Sequence, residues 1–409
     1  MLGERIREIR KSRKMTLEAL AGEELTKGMI SLIENNKANP SMESLAYIAR
    51  RLGVEVSELL EDVSSQKLRE VLDEAEKLYN KEIAIGEKSD KFKVLIALIE
   101  PYCENLSQGY ESARLLEIYS RSLYQEKQDG WQELSQKAAD MYDEMKLTAK
   151  RASIGIFWAM EKFVEHDYVE SLKILLRERN HIETKHHFID PMTRVDLDYN
   201  EAILHFAVGD SEAAAVVMEN AIHFSKEHRI FYRIDDLYRL AAAHGLMMRD
   251  KQQQDHYVSK LRQYGDFAED RQSIIFYELF QVLSLNSEEQ EFVNALEICN
   301  KYLANPQTEL AYRYWFLLEK GKSLFGMKSY HEALACFENV KIPAYAHHPY
   351  DLSLFYIKDS YKALCQIELG NLSSALDSAK EAVDNFKSMP HTPYKDFAND
   401  VYKRVSGTM

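Results

Sequence analysis

Six stretches of this 409-residue chain repeat one spacing of small residues, and that spacing leaves little choice of fold. Each stretch reads as two helical segments, with Gly, Ala or Ser where the two would cross. FLLEKGKSLFGMKSYHEALACFENV carries Gly321, Tyr330, Ala333 and Phe337 at the key positions. YIKDSYKALCQIELGNLSSALDSAKEAV repeats it with Ala363, Leu372, Ala375, Ala379 and Ala382, and DYNEAILHFAVGDSEAAAVVMENAI with Ala202, Gly209, Ala214 and Ala221. Fainter copies place Ala159 and Ser171, then Gly245 and Tyr257, then Ala295. The second-helix anchors are thus 171, 214, 257, 295, 333 and 375, spaced 43, 43, 38, 38 and 42 residues apart. Small side chains at such positions let two helices approach, and large apolar residues fill the groove to the next pair. Residues 90–147 are expected to add one or two degenerate copies, for roughly seven or eight hairpins in all. Composition agrees. Gly (15) and Pro (8) together are about half the usual share, which argues against a β-sandwich, a collagen-like chain or a disordered linker protein.

The pattern resembles the tetratricopeptide repeat, with longer units than its minimal ~34 residues. The resemblance implies a right-handed superhelix with a concave face suited to a peptide. Inward positions on the first helix of each unit are predicted at Tyr199, Asn200, Arg239, Tyr277, Gln281, Trp315, Glu319 and Lys322. An amide side chain can bond both N–H and C=O of an extended backbone. Arg239 or Lys322 would meet a carboxylate, and the aromatic walls would supply apolar contact.

The first sixty residues read differently. Leu2, Ile6, Ile9 and Arg13 share one helical face. Thr16 is predicted to cap TLEALAGEE, Thr26 to cap TKGMISLIENN, and Ser41 to cap SMESLAYIARRLG, which Gly53 closes. Asn36 suits a left-handed position after the third helix, and VSELL is expected to form a fifth short helix. IREIRKSRKMTLEALA followed by ISLIENNKANPSMESLAYIARRLGVEVSELL resembles the lambda-repressor-like (Cro/C1, Xre) helix-turn-helix domain. The turn between Ala21 and Thr26 is one residue shorter than that pattern, and Leu17 stands where it often has Gln. The resemblance makes the segment from Thr26 the recognition helix. Thr26, Lys27, Gly28, Met29 and Ser31 would then approach base edges in the major groove. Arg10, Lys14 and Lys37 are the expected phosphate contacts, which position the domain without reading sequence. Glu34 is expected to support helix packing. A single module of this kind binds weakly, so a dimer or higher homo-oligomer is expected.

Charge confines any nucleic-acid contact to this end. The chain carries a net charge of −14, whereas residues 1–40 hold 8 basic and 6 acidic side chains. The four cysteines form no CxxC pair and read as small buried thiols. No signal-peptide pattern and no long apolar run appears, so a cytoplasmic protein without membrane contact is expected. No GxSxG, HExxH, Walker or GxGxxG motif is present, and neither an enzyme nor a cofactor is expected. His181, His186 and His187 beside Asp190, and His347-His348 in another loop, are metal-like groupings, but adjacent histidines point in different directions on a helix.

The expected chain is therefore all-α. It has a helix-turn-helix bundle at 1–63, a linker helix at 64–90 and a repeat domain at 91–409. This combination resembles the RRNPP family of Gram-positive quorum-sensing receptors, with a length nearest its neutral-protease regulator (NprR) branch. The resemblance implies a transcriptional regulator that binds an operator in double-stranded DNA and a short signalling peptide. Peptide binding would change oligomeric state and DNA binding. It also implies a rival reading, in which the repeats act on a response regulator of the sporulation phosphorelay and DNA binding is secondary.

Overall fold

A computed structural model describes residues 2–56, 59, 65–81 and 89–407. All regular structure among them is helical. Two compact units divide at Leu147/Thr148, Met1–Leu147 and Thr148–Met409.

In the first unit, α1 (Leu2–Ser12), α2 (Leu17–Ala21), α3 (Lys27–Glu34) and α4 (Met42–Leu52) bury Ile6, Leu20, Ile30, Ile33, Leu45, Ile48 and Leu52 in one core. The three expected caps are in place. Thr16, Thr26 and Ser41 accept from the amides of Ala19, Met29 and Ser44, each worth ~1 kcal/mol. Asn36 is left-handed (φ 54°), and its side-chain oxygen accepts from the Gly3 amide at 3.0 Å. Gly22 is obligatory in the turn after α2. Its φ is 56°, and a Cβ there would strike the Tyr47 hydroxyl. The expected VSELL helix lies mostly outside the described residues.

The same unit continues through α5 (Ser65–Tyr79), α6 (Lys91–Ile99), α7 (Gly109–Gln125) and α8 (Trp131–Glu144). Arg114 of α7 joins three of these helices. It pairs with Glu76 of α5 at 2.6 Å and with Glu117 at 2.8 Å, and Glu117 accepts from the Tyr142 hydroxyl of α8 at 2.8 Å.

The second unit is six helical hairpins and a closing helix. The hairpins are α9 (Thr148–Val164) with α10 (Tyr168–Lys185), α11 (Pro191–Val208) with α12 (Ser211–His228), and α13 (Ile234–Met248) with α14 (Lys251–Ala268). Then come α15 (Arg271–Ser284) with α16 (Phe292–Ala304), α17 (Leu310–Gly326) with α18 (Tyr330–Asn339), and α19 (Pro349–Glu368) with α20 (Leu372–Phe386), before α21 (Pro393–Ser406). This is the long tetratricopeptide-like helical repeat region expected from the spacing. Asp167, Asp190, Asp210, Asp250 and Asp270 cap α10, α11, α12, α14 and α15 through their carboxylates.

Five of the six anchors, Ser171, Ala214, Ala295, Ala333 and Ala375, are fully buried. The Ser171 hydroxyl donates to the Ala159 carbonyl across the crossing at 2.6 Å. The sixth is corrected. Gly245 faces Gln254, which is 2% exposed, whereas Tyr257 is half-buried beside Tyr238. The 43-residue interval from Ala214 pointed to Tyr257.

Gly245 measures how tight these crossings are, since an added Cβ would sit 2.7 Å from the Gln254 amide nitrogen. Helix propensity favours Gly245→Ala by ~1 kcal/mol, but overpacking against backbone costs ~1–3 kcal/mol. The variant is expected to lower the urea midpoint of the second unit with an unchanged slope.

Candidate functional site

The exposed face of α3 is the first candidate surface. Thr26, Lys27, Gly28 and Met29 are solvent-exposed, and Ser31 is half-buried. The Thr26 oxygen is spent on the cap, which leaves its hydroxyl hydrogen free to donate outward. Lys27 pairs with Glu18 of α2, both more than half exposed. An exposed pair of this kind is worth less than ~1 kcal/mol and exchanges readily for a phosphate or base. Met29 and Leu32, 46% and 47% exposed, add apolar surface to the same helix. Leu32 was missed by sequence reasoning, although its position off the Ile30/Ile33 core face was a usable signal.

Of the three expected phosphate contacts, Lys14 and Lys37 are exposed at turns. Arg10 is turned inward. Its guanidinium forks onto Glu34 at 2.6 and 2.8 Å and donates to the Met15 carbonyl at 2.8 Å. Glu34 is 3% exposed, so Arg10 is the counter-ion of a buried carboxylate. The hydrogen bonds to Glu34 raise the Arg10 pKa. Glu34 thus takes the packing role expected of it and removes Arg10 from the outward-facing set.

The second candidate lies in the repeat unit. A cavity of about 350 Å³ is lined almost wholly from first helices of the hairpins. Met160 and Phe163 come from α9, Tyr199 and Ile203 from α11, and Arg239 and Leu240 from α13. Phe276 and Leu279 come from α15, Trp315 from α17, and Asp351 from α19. The segment between α18 and α19 closes it with Tyr345 and His348. That segment reaches back to the start of the unit. The Tyr168 hydroxyl donates to the His347 carbonyl at 2.7 Å, and His347 lies 3.3 Å from His166, ring nitrogen to ring nitrogen. His348 Nδ1 accepts from the Tyr350 amide, so its proton sits on Nε2, which donates to the Ile203 carbonyl at 3.2 Å. Burial pushes the His348 pKa down to about 4, and the ring is neutral in this role.

The eight predicted inward residues do not form one site. Tyr199, Arg239 and Trp315 line the cavity just described. Glu319 and Lys322 line a second of about 470 Å³, with Asn286, Tyr361 and Tyr394. Tyr277 and Gln281 line a third of about 510 Å³, where the Gln281 amide donates to the Tyr277 hydroxyl at 2.6 Å. Asn200 is buried, and its amide donates to the Asp196 carbonyl at 2.7 Å. It lines none of the three. The two expected carboxylate-binding cations are already paired. Arg239 is held by Asp236 and lies 3.7 Å from Asp235, and Lys322 bonds Glu319 at 2.6 Å.

Asp351 is the cavity's unexpected group. Its carboxylate makes no hydrogen bond or ion pair among the described residues, and burial raises its pKa to about 6, with Arg239 opposing the rise. The groups around it are Tyr199 on α11, Asp236 and Arg239 on α13, and Tyr345, His348 and Tyr350 from the closing segment and α19. No motif marked it in the sequence. The metal-like groupings do not assemble. Asp190 is committed to capping α11, and the His186 ring lies 2.9 Å from the Thr148 hydroxyl. Among the described residues no group of three or more His, Cys, Asp or Glu is placed to hold a metal ion. No helix among them is long and apolar enough to cross a membrane. The four thiols are unpaired.

Residues 3–65 match the family model described as a helix-turn-helix domain. No curated protein matches the sequence. Similar solved structures include Bacillus thuringiensis PlcR in complex with the peptide PapR7 and DNA. It is 18% identical over 66% of this chain and 95% of that one, with a TM-score of 0.34. The competence regulator ComR from Streptococcus vestibularis, in complex with its cognate signalling peptide XIP, is 19% identical over 72% and 97%, with a TM-score of 0.40. The Streptococcus dysgalactiae SHP pheromone receptor Rgg2 is 16% identical over 69% and 99%, with a TM-score of 0.32. The family match at residues 3–65 and the helical hairpins described after it give a helix-turn-helix domain followed by a helical repeat region.

Two outcomes are expected from these sites. A Cβ at Gly28 would meet nothing closer than the Thr26 hydroxyl oxygen at 3.9 Å. Gly28→Ala should therefore stabilise the domain by ~0.5–1 kcal/mol while weakening DNA binding if α3 enters a groove closely. Thermal melting and a DNA titration on the same variant separate the two effects. Asp351 has a folded pKa above its unfolded value, so its ionisation destabilises the fold. The penalty is absent well below the unfolded value and grows as pH rises through about 6. Asp351→Asn should melt higher than wild type at neutral pH, by ~1–3 kcal/mol. The gap should close as pH falls from about 7 to about 4, as followed by denaturation across pH.

Proposed function

We propose that this chain is a cytoplasmic, peptide-responsive transcriptional regulator of the RRNPP kind. The helix-turn-helix domain would bind double-stranded operator DNA through Thr26, Lys27, Gly28, Met29 and Ser31, with Lys14 and Lys37 on phosphates. The repeat unit would bind a short peptide in the cavity lined by Tyr199, Arg239 and Trp315. The observation that carries this reading is the exposed, Thr-capped start of α3 inside a matched helix-turn-helix domain. Its partner is a helical-repeat cavity with aromatic walls on the same chain.

A peptide spanning several hairpins would favour one packing of the array over another. It can shift oligomeric state only by its difference in affinity for the two states. The assignment to the neutral-protease regulator branch, with a response-regulator partner and a sporulation role, rests on chain length alone. No observation favours the rival in which DNA binding is secondary.

Selection from a random duplex pool tests the DNA half. Full-length protein should enrich a defined sequence, and the Lys27→Ala, Met29→Ala double variant should lose at least about tenfold in affinity for it, ~1–3 kcal/mol per base contact. Affinity should fall steeply with salt. A pool left unenriched by intact protein ends the transcription-factor reading. Mass spectrometry of protein purified from its native host tests the peptide half. Adding the recovered peptide should change oligomeric state or operator affinity, and no change in either rejects the coupling.

A further inference from the structure

We propose that the cavity bounded by Tyr199, Arg239, Phe276, Trp315, Tyr345 and Asp351 takes a cationic group, an ammonium or guanidinium, with Asp351 as its counter-ion. This rests on the peptide reading above and specifies it. The ligand carries a Lys, an Arg or its free amino terminus into this cavity.

The charge inventory sets the polarity. The one cation among the described residues that line the cavity, Arg239, is held by Asp236 with Asp235 beside it. It therefore has little charge left to offer an incoming carboxylate. Asp351 lines the same wall with no hydrogen bond or ion pair among the described residues. Asp351 is half-buried, so its carboxylate is partly withdrawn from water, and a cation entering the cavity would supply a partner there. An anionic group would face Asp351 and Asp236 together. The closing-segment residues that line the cavity, Tyr345 and His348, add no positive charge to reverse this, because His348 is a neutral donor to the Ile203 carbonyl.

The walls suit a cation as well. Aromatic faces attract ammonium and guanidinium groups, more strongly when desolvated. The cavity already does this once internally, since the Arg239 guanidinium lies 4.6 Å from the Phe276 ring centroid. Trp315 is held in place by its indole N–H, which donates to the Tyr345 hydroxyl at 2.8 Å. At about 350 Å³ the space is at the small end of ordinary ligand pockets, room for a few side chains rather than a large cofactor. The sequence suggested the opposite polarity, with Arg239 receiving a carboxylate. The salt bridges within α13 reverse that expectation.

The test uses full-length protein and two synthetic pools of random heptapeptides, one with free amino termini and one N-acetylated. Retained peptides are identified by mass spectrometry. Wild type should retain peptides enriched in Lys or Arg, or should lose most of its retention on acetylation. Asp351→Asn should still retain peptides but lose the cationic preference by about tenfold, and Asp351→Glu should keep it. A melting curve no lower than that of wild type shows that Asp351→Asn is folded. Retained peptides with no cationic preference, or an identical preference in Asp351→Asn, overturn the counter-ion role and leave the peptide reading standing. If neither pool is retained by wild type, the peptide reading falls and this assignment falls with it.

Discussion

How close two helix backbones can come decides most of what the repeat unit looks like. At the crossings of its hairpins the neighbour takes up the space that a side chain would fill. Gly155 lies against Glu178, Gly245 against the Gln254 backbone, and Gly321 against the Phe337 ring. Ser171 goes further and hydrogen-bonds the Ala159 carbonyl of the paired helix. Once those contacts are satisfied, bulky residues are forced to the seams between hairpins. Phe316 and Phe355 are buried there, with Tyr302 stacked on Phe316 and Trp315 against Phe355, each at 4.3 Å, while Phe337 and Phe386 fill space within their own hairpins. The remaining first-helix residues are left to line cavities. Aromatic side chains of successive first helices meet at the walls of the cavity that Asp351 lines, Phe276 with Tyr312 at 5.7 Å and Trp315 with Phe355 at 4.3 Å between ring centroids.

A second constraint acts across the sequence rather than along it. Repeat proteins are built from contacts between neighbours, so distant hairpins have no built-in reason to touch. Here Tyr168 and His166 meet His347, and Ile203 meets His348, across separations of 179, 181 and 145 residues. These bonds tie the closing segment before α19 to the first two hairpins. They also explain why His348 is neutral and oriented. Its two ring nitrogens serve one donor and one acceptor, and a protonated ring would lose the bond from the Tyr350 amide.

Local features of the chain were legible in its residues, and long-range ones were not. The caps at Thr16, Thr26 and Ser41, the left-handed Asn36 and five of six hairpin anchors follow from rules that span a few residues. Tyr257 misled because it was placed by the 43-residue interval from Ala214, while the crossing is made by Gln254, whose backbone lies against Gly245. Arg10 and Arg239 misled for a different reason. A cation's role depends on which carboxylate is nearest in space. Arg10 finds Glu34, 24 positions away, whereas Asp236 sits only three before Arg239. That second pair was readable as an i, i+3 contact on one helix face. Asp351 carried no such local signal, since its isolation is visible only when every neighbouring element is in place.

The inward turn of Arg10 bears on how such a domain would hold DNA. Affinity for the duplex scales with the number of phosphates neutralised. Burying Arg10 against Glu34 takes one of three expected contacts away, and Lys27 must first leave Glu18. The chain as a whole, with its net −14, adds repulsion. One copy of the domain is thus poorly supplied with free cations for tight binding on its own. Two copies held on adjacent half-sites would double the phosphate contacts and share a single loss of translational freedom. On this accounting a pair of domains would hold a duplex more tightly than one, and under the proposed function a ligand that altered how the repeat units associate would act on operator affinity.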